Sequence, residues 1–198
     1  MLKIGKLFVL FVFVNSCNSA AVYFYFLPQD RELLKPMMKL IANMHGNEAV
    51  GREMLLSLSS YLLRNYGTDP RVTAILDTTD LHILPSLNPD GFEASLKGVC
   101  RGYQLGTGRH NGNNVDLNRA FPSWDDLSES SEVLKNRSEP EVAAVIDWVL
   151  SQPFVLSANF HDGAVVANYP YDDSHQRNGF KVSCGMARYE VLMIIFSV

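Results

Sequence analysis

Asn43-Met-His45-Gly-Asn-Glu48-Ala-Val-Gly51-Arg-Glu53 is the stretch on which the rest of the chain turns. The apolar run Met37 to Met44 leads into it and reads as a buried β-strand. After it, Val50, Met54, Leu58, Tyr61 and Leu62 recur at three- and four-residue spacing, which predicts a helix burying those side chains. His45 then stands where a strand ends, and Glu48 in the first turn of the next helix. An imidazole and a carboxylate placed this way can converge on one cation. With a third ligand from elsewhere and an open position for water, such a set makes a catalytic zinc site. H-x-x-E alone is a weak signal, because a His beside a Glu is more often a surface or capping pair. Its weight comes from residues further along the chain.

Turn residues Tyr66-Gly-Thr-Asp-Pro70 end the helix, and a short amphipathic piece, Val72 to Leu76, leads to a second strand, Leu81 to Leu84. His82 lies inside that strand and reads as a core histidine rather than a ligand. Asn88-Pro-Asp-Gly91 reads as the turn that closes it. A loop rich in Gly and Asn comes next, from Gly108 to Pro122, carrying Arg109 and Arg119. Arginines in such a loop suit an anion site, since the guanidinium fork grips a carboxylate by two hydrogen bonds. The competing reading is a solvated loop held by Asn turns. Ser123 to Ser138 reads as an exposed loop, and Ser138-Glu-Pro-Glu141 as a capping box. The helix behind it runs to about Leu150, with Val142, Val145, Ile146 and Val149 as its buried stripe. Phe154 to Phe160 is a third apolar strand, and His161 at its far end is the third ligand that the site needs. Alternating strands and helices predict an α/β sheet with ligand sites at the carboxyl ends of its strands, where all three candidates fall.

Asn43 to Glu53 resembles the zinc motif of the metallocarboxypeptidases, closest to the regulatory branch typified by carboxypeptidases D, M, N and E. Leu84-Pro-Ser-Leu-Asn-Pro-Asp-Gly-Phe-Glu93 and the loop to Pro122 share that resemblance. It implies a partial metallocarboxypeptidase fold, a mixed β-sheet flanked by helices. It also implies one Zn2+ ion on His45, Glu48 and His161, and hydrolysis at the C-termini of peptides or proteins. Carried over by position, Asn118 and Arg119 hold the substrate's terminal carboxylate, and Arg109 stabilises the oxyanion. Ala120 departs from the acidic or amide residue that is usual there. Asp172, eleven residues after His161, matches the acid of members that remove Lys or Arg. The motif resemblance ends near Phe180, short of the family's general-base Glu, for which Glu190 is a poor substitute. A zinc carboxypeptidase with little or no activity in this form is therefore expected. The alternative is a non-catalytic fragment that binds zinc or peptide.

With 198 residues, 47% of them hydrophobic, the chain suits one globular domain. A net charge of −4 without a basic stripe argues against a nucleic-acid partner. Lys3 and Lys6, the apolar run Leu7 to Val14, then small and polar residues to Ala20 read as a secretory signal cleaved near Ala20. The rival is a membrane anchor over Leu7 to Leu27, which the polar cluster Asn15 to Ser19 weakens. The expected division is a signal peptide over residues 1–20, a partial catalytic domain over 21–180, and an unrelated-looking tail over 181–198. The tail's apolar run Val191 to Phe196 is expected to find no partner. In an exported chain Cys100 and Cys184 could pair, and Asn136-Arg137-Ser138 would be a glycosylation sequon.

Overall fold

The apolar runs assemble into one sheet. A computed structural model describes residues 35–96, 107–123, 126 and 128–163, together with the backbone of short strands at 7–9, 11–15, 19–23, 166–168, 175–177, 180–182 and 193–197. In chain order the strands are β1 (Leu7–Val9), β2 (Phe11–Asn15), β3 (Ser19–Tyr23), β4 (Met37–Ala42), β5 (Asp80–Leu84), β6 (Phe154–His161), β7 (Val166–Asn168), β8 (His175–Arg177), β9 (Phe180–Val182) and β10 (Met193–Ser197). The sheet runs β1-β5-β4-β6-β10-β7. Its first five strands are mutually parallel, and β7 is antiparallel to β10. It is thus the mixed α/β sheet that the sequence leads one to expect. Two antiparallel pairs, β2-β3 and β8-β9, stand apart from it.

Parallel strands are covered on both faces, which is why β4 and β5 read as nearly continuous apolar runs. On one face Leu40, Ala42, Leu81, Ile83 and Ala158 pack against Leu55 and Leu62 of α1 (Ala49–Asn65) and Val72 and Leu76 of α2 (Pro70–Thr78). On the other, Met37, Ile41, Leu84 and Phe154 pack against helices formed further along, α4 (Ser131–Arg137) and α5 (Pro140–Ser151), while α3 (Pro89–Ala94) lies between β5 and the long loop. Burial of these helix faces, rather than intrinsic propensity, holds such short helices in place.

Several expectations need correction. The buried stripe of α1 is Gly51, Leu55, Ser59 and Leu62, while Val50, Met54 and Tyr61 are exposed. The helix is rotated by one residue because Gly51 must face Phe160 and Ala42, where a side chain would clash. Ser59 is tolerated in the stripe because its hydroxyl donates to Leu55 O at 2.8 Å. Asn88-Pro-Asp-Gly91 is no simple turn. Asn88 caps α3 by accepting the Gly91 N–H at 2.8 Å, with Pro89 in the first helical position. Ser123 to Ser138 is not all loop either, for it contains α4, anchored by buried Leu134 and capped by Ser130. Ser138 does not cap α5, since its hydroxyl turns back to Leu134 O at 2.7 Å, and Glu141 is buried against Asn111. The tail's apolar run does find a partner, as β10 lies between β6 and β7. Cys100 and Cys184 lie outside the described residues.

Candidate metal centre

The neighbouring strands β4 and β6 deliver two histidines to one place. Beyond β4 the chain turns sharply at Asn43, whose φ is 59°, and His45 comes two residues later. His161 is the last residue of β6, and the two rings lie 4.9 Å apart between centroids. Glu48, the residue before α1, reaches between them. His45 Nδ1 lies 2.7 Å from Glu48 Oε1, and His161 Nδ1 lies 2.7 Å from Oε2. One ligand atom from each of the three lies within 4.8 Å of the others, and both histidines are buried. Two imidazole nitrogens and a carboxylate oxygen are donors that zinc accepts, in the number a catalytic site uses.

A fourth group, which no motif in the sequence singles out, completes the arrangement. Asp116 Oδ1 accepts from His45 Nε2 at 3.0 Å and from the Asn118 N–H at 2.9 Å. Its Oδ2 accepts from Arg109 Nε at 3.1 Å and Nη2 at 2.9 Å, while Arg109 Nη1 stands 3.7 Å from Glu48 Oε1. A carboxylate on the far nitrogen fixes a histidine's tautomer and turns its other nitrogen toward the ion. That requirement was the available signal, since a histidine ligand calls for such a partner and Asp116 lies within the Arg109–Arg119 loop. His161 is backed differently, by the side-chain amide of Asn159 at 3.3 Å from Nε2.

The charges are coupled. Burial alone would lower the His45 pKa, but hydrogen bonds to Asp116 and Glu48 outweigh it and leave the ring above its ordinary value. Burial would likewise raise Glu48, yet hydrogen bonds from His161 and His45 bring it down to about 2. Asp116 also falls well below the usual carboxylate range, because His45 and Arg109 overcome its burial. Both carboxylates are therefore ionised at neutral pH, and their charge favours a cation at the His45–Glu48–His161 cluster.

Backbone close approach sets the loops. A Cβ on Gly46 would sit 2.1 Å from the Gly91 carbonyl carbon, and one on Gly91 would sit 2.6 Å from His110 O. The ligand turn, α3 and the Arg109 loop can meet only through glycine backbone. Asn88 Nδ2 ties the same three segments, donating to Met44 O at 3.2 Å and Arg109 O at 3.3 Å. Glu48 cannot cap α1 while it faces the histidines, and Asp162 does so instead, its Oδ2 accepting the Val50 N–H at 3.2 Å.

Asn118 and Arg119 lie in the short 3-10 turn that Asp116 caps, and Arg119 is exposed, with Nη1 donating to Asn118 O at 2.9 Å. Asn136 is exposed in the last turn of α4. Asp172 and Glu190 lie outside the described residues. His82 is buried, edge-on to Phe154 with ring centroids 5.0 Å apart, as expected of a core histidine.

Known proteins share both the sequence and the fold. A family model described as zinc carboxypeptidase matches residues 14–195, reaching past Phe180 and starting within the N-terminal apolar run. Carboxypeptidase D of Drosophila melanogaster is 51% identical over 150 residues, covering 76% of this chain and 11% of that protein. Carboxypeptidase M of Mus musculus is 47% identical over 156 residues, covering 79% of this chain and 33% of that protein. The chain thus spans between about a tenth and a third of these relatives. Among solved structures, thrombin activatable fibrinolysis inhibitor aligns with a TM-score of 0.55 at 23% identity, covering 76% of this chain and 41% of that one. Carboxypeptidase A of Helicoverpa armigera aligns with a TM-score of 0.52 at 23% identity, covering 73% and 37% respectively. These structural likenesses concern the fold.

Proposed function

The chain belongs to the zinc carboxypeptidase family, and from that premise we propose that it is built for zinc-dependent removal of C-terminal residues, basic ones by preference, from peptides or proteins. The observation that carries this reading is the convergence of His45, Glu48 and His161 at adjacent strand ends. Zinc held by such donors supplies Lewis acidity toward a carbonyl oxygen and a water nucleophile. The chain's own residues do the rest. His45 and His161 offer their Nδ1 atoms and Glu48 its carboxylate, while Asp116 holds the His45 ring from behind. Arg109, beside the ligands, is suited to the oxyanion that forms on a scissile carbonyl. Asn118 and Arg119 grip the substrate's terminal carboxylate, and Asp172 pairs with a Lys or Arg side chain.

Among the described residues, the carboxylates hydrogen-bonded to the two histidines are Glu48 and Asp116, and both are engaged by histidine. A general base typically contributes about 10²–10⁴-fold. With Glu48 and Asp116 occupied in holding the site, no general base is assigned among the described residues, and we propose weak turnover on that ground. The chain takes the secretory route, with Asn136 glycosylated.

The test is zinc content and peptide cleavage by the purified chain. Wild type should hold one zinc, and His161→Ala should lose it. Cleavage should be slow, and should favour a peptide ending in Arg over one ending in Leu, with Asp172→Asn erasing that preference. Equal zinc in wild type and His161→Ala would end the metal assignment. Turnover matching that of a full-length relative would end the assignment of weak activity.

A further inference from the structure

The ligand turn is held by a side chain whose amide donates to the backbone of that turn. Asn43 is fully buried. Its Nδ2 donates to His45 O at 3.0 Å, Gly46 O at 2.8 Å and Glu48 O at 3.0 Å. Two N–H bonds are thus shared among three carbonyls, one on each ligand residue and one between them. Its Oδ1 accepts from the Ser86 hydroxyl at 2.7 Å. The amide orientation is set by this chemistry: three acceptors call for the NH2 group, and the hydroxyl proton goes to the oxygen. The backbone of Asn43 is fixed as well, since its carbonyl accepts the Asn88 N–H at 3.1 Å. Its positive φ is one that Asn adopts more readily than most residues with a side chain.

These bonds draw both ends of the His45–Glu48 turn toward one nitrogen. The turn closes on itself through the Glu48 N–H, which donates to His45 O at 3.0 Å, and the Asn43 amide holds that closed turn against the end of β4. We propose that Asn43, oriented by Ser86, is a positioning residue for the metal: it sets the separation of His45 and Glu48 so that both reach one ion with His161. The proposal rests on the zinc reading given above. Glycine in this position would satisfy the positive φ, so the amide is retained for its three bonds rather than for the backbone bend.

Asn43→Gly separates the two roles, because it keeps the backbone conformation and removes the amide. Zinc affinity of the full chain is measured by competition with a chromophoric chelator, the absorption spectrum of the Co2+-substituted protein is recorded, and unfolding of the zinc-free chain is monitored separately. Asn43→Gly should weaken zinc binding about 10–100-fold, the range for loss of groups that orient metal ligands, and shift the Co2+ spectrum. Ser86→Ala should move both readouts in the same direction by less, and it serves alone if Asn43→Gly fails to fold. Unchanged zinc affinity and Co2+ spectrum in a folded Asn43→Gly, or in Ser86→Ala standing in for it, would overturn the proposal, even if the zinc-free chain unfolds more readily. A wild-type chain that binds no zinc would instead overturn the reading on which it rests.

Discussion

His82 and His45 show how one side-chain type takes opposite roles. Both are buried, but His45 has carboxylates on both ring nitrogens, whereas His82 packs among Phe154 and Trp148. Burial lowers the His82 pKa from 6.5 to about 4, which fixes the sign of its effect on stability. Above pH 6.5 the ring is neutral in both folded and unfolded chains and contributes nothing. As pH falls from about 6.5 to about 4, the unfolded chain takes up a proton that the folded one refuses, and stability is lost. The loss is about 3 kcal/mol once pH is below both values. His82→Leu should remove this part of the acid sensitivity. Urea unfolding of the zinc-free proteins at about pH 7, 5.5 and 4 checks it, since the ligand histidines titrate alike in both and cancel in the difference. Parallel pH dependences would show that His82 does not titrate on unfolding. At this scale the sequence was legible where a residue's role is set by its own type and its place on an element. His45, Glu48 and His161 could be picked out as ligands, and His82 set aside. Asp116 was legible only as the kind of partner that a ligand histidine calls for, and Asn43 not at all, because its role consists of bonds across a turn whose shape no periodicity encodes.

Between elements, the deciding contact is that of α1 with β6. A Cβ on Gly51 would lie 2.8 Å from Phe160 Cβ and 3.2 Å from Ala42 Cβ. Helix propensity favours Gly51→Ala by about 1 kcal/mol. Overpacking opposes it by about 1–3 kcal/mol, and the crowded atoms sit at the base of strand residues that cannot swing aside. Overpacking should win, giving a net loss of about 1 kcal/mol. The change should also weaken zinc binding, because lifting α1 from β6 draws Glu48 away from His161. By contrast Met54→Ala and Val50→Ala, on the exposed face, should change stability by less than about 0.5 kcal/mol. Thermal unfolding of the three variants decides the matter, and a stabilised Gly51→Ala would refute the packing argument. The same contact explains why the sequence misled at this level. Counting apolar residues chose Val50, Met54 and Tyr61, while the true stripe contains Gly51 and Ser59, selected for closeness and for a satisfied hydroxyl rather than for hydrophobicity. Strands β4, β5 and β6 were legible because parallel strands covered on both faces read as mainly apolar runs, broken here by Lys39, His82, Ser157 and Asn159.

At the scale of the whole molecule, the first residues face two uses. Their apolar character suits a secretory leader, and it equally suits strands: Leu7–Val9 lies parallel to β5 at one edge of the sheet, and β2 pairs with β3. The described parts of residues 7–23 are extended, and among the described residues no helix is long and apolar enough to cross a membrane. Sequence alone could not choose, because a leader and a buried strand share one composition. The order of basic, apolar and then small residues is the feature that a leader requires and a strand does not. Removal near Ala20 would leave β5 as the outer strand, flanked by β4, with its own Leu81 and Ile83 packed in one core and Leu84 in the other. The pairing of β5 with β4 and of β4 with β6 involves no residue before Met37, so the centre of the sheet is expected to stay paired after cleavage. Expression in an animal cell should therefore yield a secreted product whose N-terminal sequence begins near Ala21. Its mobility should rise on treatment with an N-glycosidase, since Asn136 is exposed on α4, and Asn136→Gln should abolish that change. A folded product that begins at Met1, with residues 7–9 protected from protease, would assign β1 to the mature sheet and remove the leader.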